Sequence, residues 1–203
     1  MDPSHRLILS AVVMFGLSSA RASADADEAV PVVVLVDDRA SAAPSVLDQT
    51  GKEVVRIYRH AGMRVVWRTK TQAPNNPVSP EDQRAFTVHL MVRAGLLPKS
   101  NRPSQFQMGA APGGAIDCGG VAFLFFDQAI EFSRVHQTAA ALVMGTVVAH
   151  EIGHLLLGNR GHTSEGLMRA SWSADDWQRA SSGFLLFSQR ESEMMRATVS
   201  SCR

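Results

Sequence analysis

Charge imbalance is almost missing from this chain. Its 203 residues carry 20 Lys and Arg against 19 Asp and Glu. A protein that grips nucleic acid or a charged membrane face carries a basic patch or an excess of one sign. Nothing in this balance suggests either partner, and no nucleic acid is expected. Cysteine is scarce, with Cys118 and Cys202 alone. Internal repeats and low-complexity tracts are absent. The glycine-rich stretch Gly109–Gly120 (GAAPGGAIDCGG) lacks the Gly-Lys-Ser/Thr ending of a phosphate loop. It reads instead as a bend into the next strand.

Long uncharged runs are also short of what a membrane needs near the N-terminus. Leu7–Leu17 (LILSAVVMFGL) is too brief to span a bilayer. With His5 and Arg6 before it and Ala22-Ser23-Ala24 after it, it reads as the core of a secretory signal peptide over 1–24. Ala20-Arg21-Ala22 is a second cleavage option. No Cys follows the run to carry a lipid anchor. The expectation is a protein secreted or periplasmic after cleavage near Ala24, with no stable membrane span left. Residues 25–203 then form one domain. Removing Arg6, Arg21 and Asp2 with the leader leaves 18 basic and 18 acidic residues. In an exported protein the two cysteines read as one disulfide. The alternative is a Cys118 thiolate that caps a metal.

What is present reads as an α+β layout. Pro31–Val36 is a β-branched run closed by Asp37-Asp38, a strand. Pro44–Ala61 has helical spacing and stops at Gly62. Met63–Arg68 and Phe86–Val92 read as strands, with a proline-rich loop over 72–80 between them. The order strand, helix, strand, strand is not a run of regular βαβ units. Val121–Phe126 (VAFLFF) is a further strand. It can be an edge strand or a central one, and its unbroken hydrophobicity fits both. Ser173 with Asp175 and Asp176 reads as a helix start, and a last helix is expected over about 188–198. His60, His89 and His136 read as surface or satisfied core residues, and Trp172 and Trp177 as core or lip residues.

The chemistry is concentrated in Val148–Gly158 (VAHEIGHLLLG), with His162 and Met168 just beyond. A helix turns about 100° per residue, so positions four apart lie about 40° apart and about 6 Å along the axis. His150 and His154 then face one way and can bind one zinc ion. Glu151 stands one residue on, within reach of a water on that metal, as a general base. The apolar run 138–149 before it implies a long buried helix. Buried there without a metal, three polar groups would be costly. A catalytic zinc needs a third protein ligand. Gly158 can end the helix, and His162 can swing back across 159–161. Glu165, Glu191 and Glu193 are the alternatives.

At these residues the segment resembles the metzincin metallopeptidases, whose signature is His-Glu-x-x-His-x-x-Gly-x-x-His followed by a Met-turn. Here the link from His154 to His162 is two residues longer than that pattern. The resemblance implies His150, His154 and His162 as ligands of Zn2+, Glu151 as general base and Met168 as the Met-turn methionine. It implies a small twisted mixed sheet packed on helices, zincin-like, with an edge strand bordering the cleft. It implies hydrolysis of peptide bonds, with a peptide or protein as substrate. A monomer is expected. A zinc hydrolase of a non-peptide amide, and a secreted zinc-binding module without turnover, are the other readings.

Overall fold

Val32–Asp38 opens on a run of valines and leucine, and it forms β1, an interior strand of a five-stranded sheet. The structure, a computed structural model, describes residues 31–69, 85–94, 107–113, 116–158 and 161–202. The expected leader, 1–24, and the loop over 72–80 lie outside the described residues. The chain runs from β1 through α1 (Pro44–His60), β2 (Val65–Thr69), β3 (Phe86–Arg93), β4 (Gly109–Ala110), β5 (Gly119–Phe125) and α2 (Phe126–Val135). It continues through α3 (Ala140–Leu157), α4 (Ala174–Ser181) and α5 (Gln189–Ser200). The sheet order is β2-β1-β3-β5-β4. Its first four strands are parallel, and the short β4 runs antiparallel to β5. The mixed sheet, the α+β class and a long buried helix agree with expectation.

Helices α1 and α3 lie on the same face of this sheet, and a single cross-strand row fixes that. Trp67, Val34, Val88 and Gly120 are register partners in turn, so their side-chain positions share one face. A Cβ on Gly51 of α1 would lie 2.7 Å from the Trp67 ring, and one on Gly120 would lie 2.8 Å from Leu155 of α3. Thus α1 covers one end of the row and α3 the other. Alternate residues of the strands (Val34, Val36, Val88, Leu90, Ala122, Leu124) are buried beneath them. Helix α1 begins with Pro44, whose fixed φ suits a first turn. Its Tyr58 hydroxyl donates to the Ala149 carbonyl of α3 at 3.0 Å, one residue before His150. Helix α3 is buried on nearly every side, as a core helix must be when it is apolar all round. By length and composition alone it could cross a membrane. It ends at Gly158, with φ at +66°.

Two expectations need correction. Of the two readings of Val121–Phe126, the edge position is wrong. The strand is β5, flanked by β3 on one side and β4 on the other, and Phe126 already belongs to α2. The glycine-rich stretch does more than bend, because Gly109–Ala110 is itself the edge strand. The tight turn into β5 is made instead by Asp117 and Cys118, at φ +45° and +60°. Ile116 and Gly119 exchange both backbone hydrogen bonds across it, at 2.8 and 3.0 Å. Positive φ at both central residues is what a two-residue I′ hairpin turn requires. Cys118 of this turn is bonded to Cys202 beyond α5, with Cα atoms 5.6 Å apart. A Cys118 thiolate on a metal is therefore excluded.

Candidate metal centre

Helix α3 and the loop after it bring three histidines together. His150 and His154 lie one turn apart, and their Nε2 atoms are 2.9 Å from each other. His162 comes back from the loop, its ring centroid 5.3 Å from that of His150 and 4.8 Å from that of His154. One nitrogen from each ring lies within 4.8 Å of the others. His150 is buried, His154 half-buried and His162 exposed, so the group opens from the core outward.

The protonation states suit a metal. His150 Nδ1 donates to the Leu167 carbonyl at 2.8 Å, which leaves Nε2 with its lone pair facing His154. Burial pushes His150 down to about 4, against the hydrogen bond to Leu167, and the neighbouring His154 and His162 push the same way as burial. Burial and His162 also lower His154. Three imidazoles converging on one point are a donor set that zinc takes in catalytic sites. The cluster fits a metzincin-like Zn2+ site.

Glu151 is buried beside the histidines, and burial raises its carboxyl to about 8. It faces the edge strand: a Cβ on Gly109 of β4 would lie 2.6 Å from Glu151 Oε1. Only a glycine leaves room for the carboxyl there. By sequence alone Gly109 belongs to a bend. The signal available was a glycine at a strand position, which marks a close approach.

The loop over 162–168 organises the rest. Thr163 N–H donates to the Met168 carbonyl at 2.9 Å and closes it. Gly166 turns it at φ +72°, and Leu167 N–H donates to the Leu186 carbonyl at 3.0 Å. Met168 is fully buried under α3, where a Cβ on Gly153 would meet its sulfur at 2.7 Å. Trp172 packs edge-on against His150, and its Nε1–H donates to the same Leu167 carbonyl at 3.1 Å. The spacing of residues gave no sign of that shared carbonyl. Glu165 and Glu193 are not in the histidine group, and Glu191 is occupied in the cap of α5. His60, His89 and His136 are exposed and stand apart from it.

No family model matches the chain, and no curated protein matches it in sequence. Among solved structures it is similar to a zinc-dependent peptidase from Methanocorpusculum labreanum, at 14% identity and a TM-score of 0.48, over 81% of this chain and 99% of that one. It is also similar to archaemetzincin from Methanopyrus kandleri, at 15% identity and a TM-score of 0.48, over 85% of this chain and 96% of that one.

Proposed function

We propose that this protein is an exported zinc-dependent metallopeptidase. The observation that carries the reading is the convergence of His150, His154 and His162 at one end of a helix that also carries the buried Glu151. His150, His154 and His162 would hold the ion. Zinc, when bound, supplies Lewis acidity that polarises a carbonyl and lowers the pKa of a water toward about 7. The chain supplies the proton handling. Glu151, as carboxylate, accepts a proton from the attacking water and then gives it to the leaving amine nitrogen. Its buried position keeps bulk water from competing for that proton. Leu167 and Trp172 hold His150 in the tautomer that offers Nε2.

The peptide-bond reading draws on β4. Among the described residues it is one of the sheet's two edge strands, β2 being the other, and it runs past Glu151. An extended peptide can add to such an edge through its backbone hydrogen bonds. Export is supported by the signal-like leader and by the Cys118–Cys202 disulfide, a bond that persists in oxidising compartments.

The test is elemental zinc content beside cleavage of a peptide library, for wild type, His162→Ala and Glu151→Gln. Wild type should hold about one zinc, as a three-ligand site requires. His162→Ala should lose it. Glu151→Gln should keep it while cleavage falls by at least a hundredfold, since general-base catalysis contributes about 10²–10⁴. Cleavage of wall fragments but not peptides would point to another amide as substrate. Unchanged turnover in Glu151→Gln would remove the general-base role.

A further inference from the structure

We propose that Glu191, acting through Thr163, is a positioning residue for His162, which ties the cap of the last helix to the metal centre. The inference rests on the zinc reading of the histidine cluster. Glu191 belongs to the capping box of α5: its Oε2 accepts from Ser188 N–H at 2.7 Å, and its own N–H donates to Ser188 Oγ. That role uses one carboxylate oxygen and asks for no burial. Yet Glu191 is 3% exposed. Its other oxygen, Oε1, accepts from Thr163 Oγ1 at 3.1 Å, across 28 positions of chain. The same hydroxyl also faces the Glu165 carbonyl at 2.9 Å.

Thr163 is the residue next to His162. Of the three histidines His162 is the exposed one, so packing alone does not hold it. Its loop is fastened at two places, to the Leu186 carbonyl in the connector before α5 and to Glu191 in the first turn of α5. The first fastening sets Leu167, whose carbonyl orients His150. The second sets the backbone from which His162 reaches the site. Groups that orient metal ligands from behind are worth about 10–100-fold in metal affinity.

The test reads metal binding, not turnover. Zinc affinity is measured by chelator competition for wild type, His162→Ala, Thr163→Val, Thr163→Ser, Glu191→Ala and the Thr163→Val/Glu191→Ala pair. Cobalt(II) absorption reports the ligand set in each. Ser188→Ala serves as control, because it weakens the cap of α5 and leaves the Glu191–Thr163 contact. Thr163→Val and Glu191→Ala should each weaken zinc binding about tenfold, and the pair should be no weaker than either alone. Their cobalt spectra should move toward that of His162→Ala. Thr163→Ser should restore both readouts, and Ser188→Ala should lose thermal stability with zinc affinity kept.

Wild-type affinity in Thr163→Val overturns the proposal. So does a multiplicative loss in the pair, which would route Thr163 through Glu165. Loss of zinc affinity in Ser188→Ala equal to that in Glu191→Ala would make the role one of helix stability alone. A wild-type protein that takes neither metal, or a His162→Ala variant that binds as wild type does, overturns the zinc reading itself. The inference then falls with it.

Discussion

At the scale of single residues, the centre is a set of groups moved away from their ordinary protonation. His150 is held down at about 4 and Glu151 is pushed up to about 8, both chiefly by burial. These shifts set how the metal-free protein responds to pH. Between the ordinary carboxyl value of 4.5 and about 8, folded Glu151 keeps a proton that the unfolded chain has released. Stability therefore falls as pH rises through that window. His150 works on the acid side: between 6.5 and about 4 the unfolded histidine is charged and the folded one is not. Stability falls there as pH drops, and His154 adds to the same slope. Above 6.5 the carboxyl acts without that opposition. Urea melts in a chelator should show wild type losing on the order of 2 kcal/mol from pH 6.5 to 8. Glu151→Gln, which has no proton to release, should be flat over the same interval. Equal slopes for the two proteins would mean that Glu151 is hydrated in the metal-free state.

At the scale of elements, the centre lies where α3 meets the edge of the sheet, and its legibility follows from that. His150 and His154 could be paired from sequence because their relation is local to one helix: four residues make about one turn. The start of α4 was legible for the same reason, since Ser173 and Asp176 lie three residues apart, whereas the matching pair Ser188 and Glu191 at α5 was not read as a cap and Glu191 stood among the alternative ligands. Gly109 was not legible. Its closeness to Glu151 depends on sheet order, which puts a two-residue strand outside β5 and over α3. Helix α2 was missed because only Ala129 and Phe132 are buried along it, too few to mark a period. The interior place of β5 was undecided because a continuous apolar run suits edge and centre alike. Gly109→Ala tests this meeting of elements. The added methyl would lie 2.6 Å from Glu151 Oε1 and 2.8 Å from Val147 Cγ1. Strand or carboxyl must shift, and the variant should lose about 1–3 kcal/mol of stability. Zinc content should stay at the wild-type level while peptide cleavage drops about tenfold or more, as expected when a general base is misplaced by a fraction of an ångström. Retained cleavage would show that the strand, not Glu151, gives way.

At the scale of the whole molecule, the C-terminal region is fastened at two separate places. The disulfide joins residues 84 positions apart and encloses β5, all four later helices and the three histidines. In the chain-entropy account, closing a loop of that length in the unfolded state is worth about 4–5 kcal/mol, and measured losses run about 2–5. Zinc would stabilise by another route, adding RT ln(1 + [Zn]/Kd) through binding to the folded state. Helix α5 lies between the two devices. Its Glu191 reaches the loop of His162, while Cys202 follows its last turn about 16 Å away along the axis. Sites that far apart act independently unless a rigid element couples them. Losing the disulfide by Cys118→Ser with Cys202→Ser should therefore lower stability by about 2–5 kcal/mol and leave zinc content and cleavage as in wild type. Removing zinc as well should add its own cost to within about 0.5 kcal/mol. Chemical denaturation of the four states, with and without disulfide and with and without zinc, measures both terms and their sum. A joint loss larger than the sum would mean that α5 carries strain from one fastening to the other. In that case zinc affinity itself must fall in the variant without the disulfide, by the factor that the excess energy sets.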